Sequence, residues 1–161
     1  MADSIKLTTV TNSIAALSIT ITKPDGTSGT LTIRDIDELT EAINQEQCPI
    51  LSPQPANFVT DVVITRDTFG ADAALKTVKY TLHYIFYYAP VAQGATMFEK
   101  YDNMITAAAI ILNHLAINTN LTGATDILPQ AIPVFGPVAD GTGALFHGCV
   151  ISMRVMQYME A

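Results

Sequence analysis

Apolar and polar residues alternate most regularly at 77–88, Thr-Val-Lys-Tyr-Thr-Leu-His-Tyr-Ile-Phe-Tyr-Tyr. Val78, Tyr80, Leu82, Tyr84, Phe86 and Tyr88 share one face, and Thr77, Lys79, Thr81 and His83 the other. This two-residue period predicts a half-buried strand. Ile85 and Tyr87 turn the second face apolar as well, so the end of the strand is expected to be covered on both sides. After Ala89-Pro90 the period changes. Met97, Tyr101, Met104, Ala108, Ile111 and Leu115 recur at steps of four and three, predicting an amphipathic helix over 96–117. A long strand followed by a long apolar helical stripe defines a helix-on-sheet core.

The same reading applied from the start of the chain gives the other elements. Leu7, Val10, Ile14 and Leu17 predict a short helix within 3–17, with Asp3 or Ser4 as its cap. From 18 to 33 the period is two, broken by Pro24-Asp25-Gly26, which reads as a β-hairpin whose tip spans 24–29. Asp35 and Glu38 have capping-box spacing, and Ile36, Leu39 and Ile43 predict the buried side of a second short helix. Its outer side carries Asp37, Glu38, Glu41 and Glu46. The stretch 48–55 holds Pro49, Pro53 and Pro55, so its strand is brief or lies at an edge. The stretch 61–69 reads as a strand joined through 70–76 to the strand at 77–88 as an antiparallel hairpin. Beyond the long helix, 118–125 is a polar turn, and 127–138 is extended but carries Pro129, Pro133 and Pro137, which exclude a regular central strand. A turn at Asp140-Gly141-Thr142-Gly143 leads into a last strand over 145–156. Hairpins with helices between them predict an α+β fold: a mostly antiparallel mixed sheet with helices packed on one face, as a single domain over 1–161.

Composition narrows the functional classes. Only 14% of the 161 residues are charged while 49% are hydrophobic, yet no run reaches the length of a membrane span. A chain so poor in charge is expected to hide part of its surface against partners. The formal charge of −7 and the scattered basic residues oppose tight binding to a phosphate backbone. Five of the fifteen acids lie between Asp35 and Glu46 and concentrate the negative field there. Two lone cysteines, Cys48 and Cys149, make no disulfide framework, and Met-Ala-Asp-Ser-Ile-Lys has no secretory pattern, so a cytosolic origin is expected.

Catalytic signals are sparse. His83, His114 and His147 have no ligand partners at metal spacing, and no phosphate-binding or nucleophile-elbow motif occurs. His147 and Cys149 share a strand face, which permits a thiol–imidazole pair but more commonly means packing. The tyrosines of 77–88 read as core rather than as a base-stacking platform, since Lys79 alone among them is basic. The expectation is a non-enzyme with no cofactor and no metal.

Eight segments follow one another in order: Ser13-Ile-Ala-Ala-Leu-Ser-Ile19, Thr32-Ile-Arg-Asp-Ile-Asp-Glu38, Cys48-Pro-Ile-Leu-Ser-Pro53, Asn57-Phe-Val-Thr-Asp61, Thr65-Arg-Asp-Thr-Phe-Gly70, Val78-Lys-Tyr-Thr-Leu-His-Tyr84, Phe135-Gly-Pro-Val138 and Phe146-His-Gly-Cys149. In that order they resemble small tail-completion proteins of long-tailed bacteriophages, in particular the tail terminator type. The resemblance implies a hexameric ring at the tail–head junction of the virion, which caps the tail tube and contacts tail tube and neck or connector proteins. Double-stranded DNA would pass through its channel without specific binding, and no membrane is involved. On that reading Asp35, Asp37, Glu38 and Glu41 face the lumen or the next ring. The loop 22–30, longer than the family implies, would protrude to touch a partner ring through Lys23, Pro24, Asp25, Gly26, Thr27, Ser28 and Gly29. Two other readings stay open: another neck ring of similar build, and a small non-viral oligomeric binding module. An enzyme built on His147 and Cys149 is the remaining, least favoured one.

Overall fold

The computed structural model describes residues 6–55, 57–66, 75–91, 101–117, 126–129 and 134–160. In chain order the elements are α1 (Leu7–Ala15), β1 (Thr20–Thr22), β2 (Ser28–Thr30), β3 (Thr32–Ile33), β4 (Ile50–Pro53), β5 (Val59–Arg66), β6 (Leu75–Pro90), α2 (Tyr101–Ile117), β7 (Asp126–Pro129), β8 (Phe135–Ala139) and β9 (Leu145–Glu160). The proposed caps Asp3 and Ser4, the start of the long helix at 96–100, the turn at 118–125 and Pro133 lie outside the described residues, as does most of the link at 70–76.

Two sixteen-residue strands, β6 and β9, form the axis of a seven-stranded sheet. They pair antiparallel, so Val78 faces Gln157, Tyr80 faces Val155, Leu82 faces Met153, Tyr84 faces Ile151 and Phe86 faces Cys149. Directly opposed residues share a face, so the alternation in each strand adds up to one continuous buried surface. A register shift between Tyr87 and Ala89 leaves Tyr88 as the extra residue of a bulge. On the outer side of β6, β4 covers its later half and β5 its earlier half, while β7 and β8 flank β9. All these pairings are antiparallel; β3 runs parallel to β4 and makes the sheet mixed. The proline-bearing segments lie where a missing donor is tolerated: β4 is four residues long, and Pro129 and Pro137 stand in the flanking strands β7 and β8.

Both helices contribute to the cluster on one sheet face. Val10 and Ile14 of α1, and Met104, Ala107, Ala108, Ile111 and Leu115 of α2, are buried with Tyr80, Tyr84, Phe86, Ile151 and Met153. Of the expected stripe, Met104, Ala108, Ile111 and Leu115 are fully buried, Tyr101 is partly buried, and Met97 lies outside the described residues. Ala107 and Ala108 add little bulk, which favours close approach of helix and sheet. Each large apolar side chain so removed from water contributes roughly 1.5–3 kcal/mol. On the opposite face a smaller cluster of Ile43, Ile50, Ile85, Tyr87 and Phe146 closes over the end of β6. Tyr87 and Phe146 meet edge-on at 5.3 Å. Ile85 and Tyr87 are therefore covered as the sequence predicts. The fold is α+β.

Three local expectations are corrected. The second short helix is absent: a 3-10 turn at Ile36–Glu38 ends where Leu39 turns extended, at φ −67° and ψ 132°. The hairpin is shorter than 18–33, since β1 pairs with β2 only, and Thr32 and Ile33 leave it to pair with β4. The stretch expected as a strand over 61–69 is described from Val59 to Arg66 and is bulged. Asp61 and Val62 together oppose one residue of β6, and Asp61 adopts φ 54°.

Candidate assembly surfaces

The acidic segment after β3 owes its shape to three polar anchors. At its start the Asp35 carboxylate accepts from the Ile36 backbone N–H at 2.7 Å, and the Glu38 side chain accepts from the Asp35 N–H at 3.2 Å. With its amide nitrogen turned toward Asp35, Asn12 of α1 also donates to that carboxylate. Asp35 is thus engaged locally. In the middle, Arg34, a residue only 8% exposed, donates through its guanidinium to Thr40 Oγ1 at 2.7 Å and to Gln47 Oε1 at 3.0 Å. This cation binds neutral groups at both ends of the segment rather than a carboxylate. At the far side, Asp140 accepts from the Ile43 N–H at 3.0 Å, from the Thr142 N–H at 2.9 Å, from the Thr142 hydroxyl at 2.7 Å and from the Ala144 N–H at 3.0 Å. Burial works against the charge of Asp140, but these donors, the Thr142 hydroxyl first, hold its carboxyl below the ordinary 3.8. The Gly141 N–H donates to the Glu41 carbonyl at 2.7 Å and completes the latch.

What remains facing water is a row of acids. Asp37, Glu38, Glu41 and Glu46 are all exposed. Of the four acids singled out from the sequence, the structure therefore separates Asp35, half-buried and bonded, from Asp37, Glu38 and Glu41.

The loop of 22–30 belongs to a different surface. It joins β1 and β2, whose two-stranded sheet packs beside α2. Its tip is a tight turn. Gly26 sits at φ +86°, and the Asp25 carboxylate accepts from the Thr27 hydroxyl at 2.6 Å and the Thr27 N–H at 3.0 Å. Those bonds, the hydroxyl first, draw the Asp25 carboxyl below its usual value. Lys23 lays its side chain across Gly29, and the Tyr88 hydroxyl donates to the Thr22 carbonyl at 2.8 Å, which ties the base of the hairpin to β6. Asp25, Gly26, Thr27 and Ser28 are exposed, whereas Lys23, Pro24 and Gly29 are half-buried.

A third surface lies outside the residues singled out from the sequence. In β5, Val62, Val63 and Ile64 are 52%, 47% and 53% exposed, and its outer edge pairs with no strand among the described residues. The sequence carried a signal for this. Val62, Ile64 and Arg66 on one face and Val63, Thr65 and Asp67 on the other mix apolar and polar residues on both sides, so neither face is built for burial.

The candidate chemical groups are set into the packing. Cys149 is fully buried, and desolvation pushes its thiol up to about 12, the opposite of what a nucleophilic cysteine needs. Cys48 is raised likewise to about 11, burial outweighing the opposing pull of Arg34. His147 is buried, with the Tyr101 ring edge-on at 6.2 Å. His83 bridges two strands, its Nε2 2.6 Å from Thr60 Oγ1 and its Nδ1 2.7 Å from Ser152 Oγ. Tyr80, Tyr84 and Tyr88 lie in the core, so they offer no stacking platform. Among the described residues no cluster of three or more His, Cys, Asp or Glu could hold a metal. No described helix is long and apolar enough to cross a membrane.

These features define an α+β protein whose distinctive surfaces are an acidic turn and a bare apolar strand edge. Comparison with known protein families and with characterised proteins finds no match.

Proposed function

We propose that the chain is the protomer of a ring at the tail–head junction of a long-tailed bacteriophage, a tail terminator that caps the tail tube and lets DNA pass. The observation that carries this reading is the β5 edge. A chain with 14% charged residues leaves three successive β-branched side chains exposed on a strand whose outer edge pairs with no strand among the described residues, a surface that solitary soluble proteins blunt. An assembly would cover it. The net charge of −7 supports a channel protein that repels the phosphate backbone instead of gripping it. The ordered resemblance of eight segments to tail-completion proteins supports a place at the tail–head junction.

Immunogold electron microscopy of the virions tests this directly. An antibody against the purified protein is expected to label the junction of head and tail, and the purified protein is expected to form rings in negative stain. Virions without label at the junction would sink the reading.

A further inference from the structure

The β5 edge carries one cation, Arg66, and the adjacent strand β6 adds Lys76 and Lys79 beside it. Arg66 and Lys76 stand directly opposite each other in the β5–β6 register, and Lys79 stands opposite Val63. Like charges in directly opposed positions destabilise a sheet. No described carboxylate forms an ion pair with any of the three. An acid brought from outside would relieve this repulsion. Three of the eight basic residues of an acidic protein thus lie on or beside its most exposed apolar strand, Arg66 and Lys76 on one sheet face with Ile64, and Lys79 on the other with Val63, so that they flank the edge from both sides.

The acidic turn presents the complementary deficit. Asp37, Glu38, Glu41 and Glu46 are exposed, and Arg34, the cation within that stretch of chain, is buried and committed to Thr40 and Gln47. The two surfaces cannot meet within one chain. The acidic segment is fixed at Ile43 against Tyr87 and Phe146, and Tyr87 lies eight residues along the continuous strand β6 from Lys79, roughly 25 Å at the rise of a β-strand. The opposite edge of the sheet is the poorer seat for a strand-edge contact, since Pro129 and Pro137 interrupt it.

Resting on the ring reading above, we infer that the β5 edge of one copy, with Val62, Val63 and Ile64 and the cations Arg66, Lys76 and Lys79, docks against the acidic turn of a second copy at Asp37, Glu41 and Glu46. Two different patches of one chain make the contact heterologous, and a heterologous contact that closes gives a ring. The acids are then assigned to the contact between copies rather than to the lumen.

The test is sedimentation velocity over a concentration series on three proteins, each checked for fold by circular dichroism: the wild type, the triple variant Arg66→Glu, Lys76→Glu, Lys79→Glu, and the triple variant Asp37→Lys, Glu41→Lys, Glu46→Lys. Glu38 is left in place because it closes the capping box. The wild type is expected to form a discrete oligomer, and each variant alone to lose assembly by at least about tenfold in apparent affinity. An equimolar mixture of the two variants is expected to regain the oligomer, because each reversed surface then meets its complement. Retention of the oligomer by the first variant would overturn the contact and leave the ring reading standing. Loss in both variants with no recovery on mixing would show that the acidic turn is not what the β5 edge seeks, and would overturn it too. A wild type that stays monomeric at every concentration would remove the ring reading and this inference together.

Discussion

A Cβ added at Gly148 would run into the carbonyl oxygen of Phe86, across the ladder between β9 and β6. Its cross-strand partner Gly136, in β8, has nothing within 4 Å of the same position. Gly148→Ala is therefore expected to cost about 1–3 kcal/mol or more, because backbone cannot step aside as a flexible side chain can. Gly136→Ala is expected to stay within about 0.5 kcal/mol. Urea titration of the two variants decides it, and equal midpoints would refute the claim. Asp140 gives a second test at this scale. Its carboxyl is lowered in the folded state, so its contribution is full above the ordinary value of 3.8 and is lost as pH falls through the lower folded value. Asp140→Asn is expected to lower stability at pH 7 by about 1.5–3 kcal/mol, the range for hydrogen bonds to a charged group. The gap to wild type should narrow below about pH 3.8, which thermal unfolding across pH would show. The capping box shows how far single residues can be read from sequence. Asp35 and Glu38 bond as their spacing implies, yet a cap satisfies only the first turn. Whether a helix follows was decided by Arg34 holding Thr40 and by Asp140 holding Ile43, the latter a contact 97 residues away along the chain.

At the scale of elements, legibility followed amphipathicity. β6 between Val78 and Tyr88, and α2, each have one apolar face, and both lie where their periods place them. Ile111→Ala, in the buried stripe of α2, is expected to cost about 2–5 kcal/mol. Ile105→Ala, on the same helix but 46% exposed, should cost well under half as much. Matching losses in denaturant titration would mean that the stripe is misassigned. β3 and β5 were harder to read, for different reasons. Two residues are too few to show a period, so nothing local marked Thr32 and Ile33 as partners of β4. β5 reads as a strand, but its mixed pattern names no buried face, and a bulge at Asp61 and Val62 shifts its register besides.

At the scale of the molecule, charge poverty and acidity pull in one direction. Low charge calls for covered surface, and the sequence alone supported that much. The pairing of an uncovered apolar edge with opposed cations depends on strand register, which no composition reveals. The proposed contact draws on Arg66, Lys76 and Lys79, so assembly would neutralise cations that could otherwise hold phosphate. The assembled protein, at −7 per chain, is then expected to leave double-stranded DNA unretarded in a gel at low ionic strength, where phosphate contacts are strongest. Arg66→Glu in the same assay should change nothing if DNA never meets this edge. Retardation of DNA by the assembled wild type that fades steeply with salt would mean that basic residues line a DNA groove. Threading without grip would then be the wrong description of the proposed ring.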